Sequence, residues 1–167
     1  MKKLFALFCA CVLTVTLFGC QKTPDDTNTD TPNPPDIQTE TVNVYLPDGE
    51  AMYVIPTEMA LLPEDDMAPV LVDTLINQGA LPVDAAMNKC EVADGKITLD
   101  MNAKFADAVS QNGTAGETML LAALVDTFLD YYDAKALTLT ADGEAIETGH
   151  AVYDEPFTAL FAVEPTP

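Results

Sequence analysis

From Val42 onward the chain alternates apolar and polar residues in short runs, broken by three Asp-Gly pairs: Asp48-Gly49, Asp94-Gly95 and Asp142-Gly143. Two residues of this type between alternating runs are a strong hairpin signal. With a two-residue turn at Asp94-Gly95, Val92 faces Ile97 and Cys90 faces Leu99, all on one side of the ribbon. At Asp142-Gly143, Leu139 faces Ile146, flanked by Leu137 and Ala141. At Asp48-Gly49, the pattern puts Val44 and Leu46 on a face with Ala51 and Tyr53.

Two stretches between the hairpins change to helical spacing. The first starts at Asp65 or Asp66, either of which can cap it. It keeps Pro69 in the tolerant first turn, runs through Met67, Val70, Leu71 and Leu75, and stops at Gly79. The second opens with Thr114-Ala115-Gly116-Glu117, read as a capping box. It carries Leu120, Leu121, Leu124, Val125, Phe128 and Tyr132 on a broad stripe suited to a sheet face. The expected order is ββ-α-ββ-α-ββ. This is an α+β fold with two helices packed on a mainly antiparallel sheet.

The N-terminus follows a different pattern. Lys2-Lys3 precede a mostly apolar run from Leu4 to Phe18, shorter than the about 20 residues that span a bilayer. It fits a secretory signal. Leu17-Phe18-Gly19-Cys20 resembles a bacterial lipobox, in which the cysteine is lipidated and becomes the new N-terminus. The expected organisation is a signal peptide at 1–19, a lipidated Cys20 with a tether over 20–41, a domain at 42–160 and a tail at 161–167. Two or more acyl chains on Cys20 hold a protein stably on a membrane. The expected location is thus the bacterial cell membrane, lipid-anchored on its extracytoplasmic face.

The tether, rich in proline, threonine and acid, has Ile37 as its one aliphatic residue and cannot bury enough apolar area to fold. Fully extended, its residues after Cys20 reach about 70 Å. Asp26-Thr27-Asn28-Thr29-Asp30 imitates the start of a calcium loop. The glycine and terminal glutamate such a loop needs are replaced by Thr31 and Ile37. In the processed chain Cys90 is the one remaining free thiol, placed by its hairpin on a core face, where a cysteine acts as a small hydrophobe.

Charge narrows the function. The chain has 27 acidic and 7 basic residues, a formal charge of -20. All the basic residues are lysines. A nucleic-acid partner is excluded, because it requires a basic face. The charge favours basic or cation-bearing partners instead. His150 and Ser110 are the only histidine and serine. His150 with Asp154 and Glu155 is a weak ligand-site candidate, in a region without the ligand spacing of a metal site. Glu64-Asp65-Asp66 reads as a solvated helix start. Asp130 and Asp133 bracket a Tyr131-Tyr132 aromatic pair. No phosphate loop, dinucleotide-binding glycine pattern or nucleophile elbow is present, so neither a cofactor nor a metal is expected and no residue is assigned as catalytic.

Several segments in order resemble the GerMN domain of sporulation and spore-germination proteins. Val42-Asn43-Val44-Tyr45-Leu46-Pro47-Asp48-Gly49 resembles its opening strand. An acidic, proline-containing stretch leads into a helix ending Leu75-Ile76-Asn77-Gln78-Gly79, followed by Leu81-Pro82. Val92-Ala93-Asp94-Gly95-Lys96-Ile97-Thr98-Leu99-Asp100 is similar to its central hairpin. The long apolar helix at 117–132 follows, and Leu137 to Gly143 with Gly149 and Pro156 close the domain. The resemblance covers residues 42–158. It implies a non-enzymatic envelope module that works by protein–protein contact, with envelope proteins or a second copy as partners, in sporulation or germination. The alternative is an acidic ligand-binding or cell-wall-acting hydrolytic lipoprotein using His150, Asp154 and Glu155.

Overall fold

A computed structural model describes residues 38–160. The lipobox with Cys20, most of the tether and the tail lie outside the described residues. The elements are β1 (Glu40–Pro47), β2 (Val54–Leu61), α1 (Met67–Asn77), β3 (Met87–Ala93), β4 (Lys96–Met101), α2 (Ala103–Gln111), α3 (Gly113–Tyr131), β5 (Ala136–Ala141), β6 (Glu144–Glu147) and β7 (Val152–Tyr153). The α+β class and the alternation of hairpins with helices are as the pattern predicts. The structure adds α2 and β7, and divides the strands into a pair, β1-β2, and a five-stranded sheet in the order β3-β4-β5-β6-β7.

The second and third hairpins have the expected register. Val92 lies opposite Ile97, Cys90 opposite Leu99, and Ala141 opposite Glu144. Both turns need two successive residues at positive φ. Asp94 and Gly95 supply φ of 52° and 69°, and Asp142 and Gly143 supply 50° and 82°. The first hairpin differs. Pro47 pairs with Val54, so the connection runs from Asp48 to Tyr53. The Asp48 carboxylate accepts the Met52 and Tyr53 amides at 2.7 and 3.2 Å, and Ala51 takes the left-handed conformation at φ 53°. This side-chain clasp holds a longer loop than Asp-Gly alone would. Ala51 and Tyr53 are therefore exposed, and Val44 and Leu46 face Thr57 and Ile55 across the ladder.

Between β4 and β5 the chain crosses over through α2 and α3, so this pair is parallel, with Ile97, Leu99 and Met101 beside Leu137, Leu139 and Ala141. These six side chains are buried on one face. Thr98, Asp100, Thr138 and Thr140 stand on the other, which is the solvated face of the sheet. Helix α2 was not expected as a helix. Asn102 caps it by accepting the Phe105 amide at 3.1 Å, and Phe105 and Val109, one turn apart, are its two buried residues.

Helix α1 begins and ends as predicted, with the Asp66 carboxylate accepting the Ala68 amide at 3.1 Å and Gly79 just beyond at φ 75°. Helix α3 does not use the capping box. Its N-cap is Asn112, whose side-chain amide donates back to Ala108 of α2 at 2.8 Å. Gly116 fits because a Cβ there would lie 2.6 Å from the Asn112 Cβ.

Leu121 through Leu129 are buried without interruption. A helix hydrophobic all round is covered on all sides. Contacts of α3 run to β1 and β2, to β5, and to the flanking helices α1 and α2. The Thr127 hydroxyl, fully buried, accepts the Tyr45 amide of β1 at 2.9 Å. The β1-β2 pair thus covers the surface of α3 that one sheet would have left exposed.

Candidate functional site

A cleft lies where the end of α3 and the start of α1 approach β3. Glu64, Asp65, Asp66, Met67, Cys90, Val92, Tyr131 and Tyr132 line its volume of about 340 Å³. The sequence segments differ in role. Asp66 caps α1, and Glu64 and Asp65 extend the acidic approach to it. Cys90 and Val92 alternate on one face of β3. Tyr131 and Tyr132 end α3, their rings edge-to-face with centroids 4.8 Å apart.

Burial is the main influence on the Cys90, Tyr131 and Tyr132 groups. It pushes the Cys90 thiol up to about 11, with help from the charges of Asp66 and Glu91. A thiol raised this far is not a nucleophile near neutrality. Burial likewise raises the Tyr132 hydroxyl to about 12, aided by Cys90, Asp66 and Tyr131. The Tyr131 hydroxyl is also raised, by burial and then by Glu40. The cleft therefore offers carboxylates and neutral aromatic hydroxyls. That lining suits cations and hydrogen-bond donors.

A polar network sits on the solvated face of the sheet. Asp100 accepts from the Thr140 hydroxyl, the Gly143 amide at 2.8 Å and the Asn88 side-chain amide at 3.0 Å. Asn88 also donates to Asp142 at 2.9 Å and to the Met101 carbonyl at 2.8 Å. Burial opposes the Asp100 charge, but these hydrogen bonds and Lys89 outweigh it and lower its carboxyl below the ordinary 3.8. A folded-state value below the unfolded one stabilises above the unfolded value and is lost as pH falls through the folded one. Thermal unfolding between pH 5 and about pH 2 should therefore show an acid slope that Asp100→Asn reduces. An unchanged slope in the variant would remove Asp100 from the acid response.

His150, Asp154 and Glu155 are exposed around β7, and no hydrogen bond or ion pair joins their side chains. The His150 backbone amide donates to the Thr148 hydroxyl at 3.2 Å. The buried carboxylate in this region is one that sequence reading assigned to a cap. Glu117 is 3 % exposed. One of its oxygens accepts the Tyr153 hydroxyl and, at 3.2 Å, the Thr148 hydroxyl. The other has no partner. Burial, then Glu117, raises the Tyr153 hydroxyl to about 12. Glu117 thus fastens the β6–β7 turn to the first turns of α3. Among the described residues no group of three or more histidine, cysteine, aspartate or glutamate side chains is placed to hold a metal ion.

The fold has known counterparts. The tandem GerMN domains of the sporulation protein GerM from Bacillus subtilis superpose with a TM-score of 0.56 at 16 % identity, over 75 % of this chain and 46 % of that one. The chain thus spans about half of the tandem protein's length. The first GerMN domain of the same protein superposes with a TM-score of 0.55 at 16 % identity, over 74 % of this chain and 98 % of that domain. Similarity at this level speaks for the fold. No curated protein is significantly similar in sequence. Residues 43–147 match the family described as Germane, sporulation and spore germination. On that match, which takes in the chain from β1 through β6, the protein belongs to the Germane family of sporulation and spore-germination domains.

Proposed function

We infer that the protein is a membrane-anchored, extracytoplasmic assembly module of the bacterial envelope that acts in sporulation or germination through protein–protein contact. The family match over residues 43–147 carries this reading. The lipobox ending in Cys20 supports the anchor, and the Pro- and Thr-rich tether supports presentation of the domain away from the lipid surface. The acidic, aromatic cleft beside β3 supports contact with a cationic partner, since carboxylates and aromatic faces attract ammonium and guanidinium groups.

The reading is tested by deleting the gene in its native host and restoring it as wild type or as Cys20→Ala. Heat-resistant spore yield or germination rate should fall on deletion, recover with wild type, and stay low with Cys20→Ala while the variant leaves the membrane fraction. Full spore yield and normal germination in the deletion strain would contradict it.

A further inference from the structure

Strand β3 ends the five-stranded sheet, and no described segment pairs with its outer side. The two-residue turn makes Ala93 and Lys96 the closing pair of the hairpin. Main-chain groups along an antiparallel ladder alternate between facing the partner and facing away. Those of Ala93 and Glu91 therefore face β4, while the N–H and C=O groups of Val92 and Cys90 face the open edge. The register shift between Met87 and Lys89 breaks the regular pairing near the start of β3. The usable length is centred on Cys90 to Val92.

The side chains of the same two residues floor the acidic, aromatic cleft. Val92 is 44 % exposed. A strand laid along β3 would run about 4.8 Å away, with every second side chain on the cleft side. Those side chains would meet Glu64, Asp65 and Asp66 and the rings of Tyr131 and Tyr132, with no lysine among the cleft residues. Lys89 of β3 is drawn instead to Glu91, 2.8 Å away. Ammonium and guanidinium groups match this lining, pairing with carboxylates and packing on aromatic faces.

We propose that β3 accepts an extended, lysine- or arginine-bearing segment of a protein partner as an added strand, its cationic side chains seated in the cleft. This deepens the assembly reading and rests on it. Main-chain bonds to Val92 and Cys90 supply the docking, and the carboxylates supply the choice of partner. A second copy of this chain is a poor occupant. Residues 42–160 hold 21 acids against 4 lysines, so two such domains repel.

The probe is a capped peptide of about nine residues alternating lysine and threonine, a typical strand length. It is titrated against the full chain in non-ionic detergent. A peptide with glutamate in place of lysine is the comparison. The lysine peptide should bind, slow amide hydrogen exchange at Cys90 and Val92, and weaken with added salt; the glutamate peptide should not bind. Val92→Pro removes an N–H that faces the open edge and leaves the β3-β4 ladder intact. It should weaken binding about tenfold or more. The pair Glu64→Gln and Asp65→Asn, both exposed and neither a cap, should also weaken it, and this keeps the test valid if Val92→Pro folds poorly. Absence of binding overturns the proposal. So does binding that neither variant weakens, or protection that falls elsewhere on the domain. Any of these failures leaves the assembly reading standing, because that reading is tested in cells.

Discussion

Phe128→Ala should destabilise the domain by about 3–5 kcal/mol, the usual cost of removing a buried aromatic ring. Phe128 is fully buried near the end of α3. Its ring packs against Tyr132 with centroids 6.0 Å apart. The helix around it is enclosed by β1 and β2, by the five-stranded sheet and by the two other helices, so few neighbours can collapse into the space left. A domain of this size has a total stability of about 5–15 kcal/mol, and the variant should melt about 10–20 °C lower. Val83→Ala is the control. Val83 is 89 % exposed, and its change should stay within about 0.5 kcal/mol. Equal melting of the two variants would mean that α3 is not the centre of the core.

The second large effect is expected at Glu117. Glu117→Ala removes the acceptor shared by the Tyr153 and Thr148 hydroxyls and opens a cavity at a site 3 % exposed. The expected loss is about 2–3 kcal/mol. Glu117→Gln keeps an acceptor for both hydroxyls and removes the carboxylate charge, so it should retain more stability than the alanine variant. Chemical denaturation of both variants and of Tyr153→Phe separates the contributions. If Glu117 acted as the helix cap its sequence position suggests, Tyr153→Phe would change nothing. The fastening of the β6–β7 turn predicts a loss for that variant as well.

The residues differ in how much of this arrangement they reveal on their own. The hairpins at Asp94-Gly95 and Asp142-Gly143 are legible because a two-residue turn demands positive φ, and these residue types tolerate it. The longer loop at Asp48 is not, because it depends on one carboxylate reaching the Met52 and Tyr53 amides. Helix α2 carries a faint signal, Asn102 followed by Phe105 and Val109, on a stretch of only 9 residues. The run Leu120 to Val125 is apolar on more than one face. That marks a helix covered on several sides. The parallel pairing of β4 with β5 is invisible to hairpin reasoning, since it joins segments separated by two helices.

The candidate site follows the same logic. Glu64 to Asp66 and Tyr131-Tyr132 each stand out in the sequence, one as a helix start and the other as an aromatic helix end. Cys90 stands out as the free thiol of a core-facing hairpin. Nothing local brings the three together; the packing of α1 and α3 over the outer strand does so. His150, Asp154 and Glu155 are neighbours in sequence and all exposed, His150 in the turn between β6 and β7 and the two acids just after β7.

The most direct measurement of the assembly reading is in-cell crosslinking of the Cys20-anchored protein followed by its recovery, with Cys20→Ala alongside. A defined envelope or sporulation protein should be recovered with the wild type and lost with the variant. Recovery of only abundant neighbours, the same for both forms, would contradict an anchored assembly module.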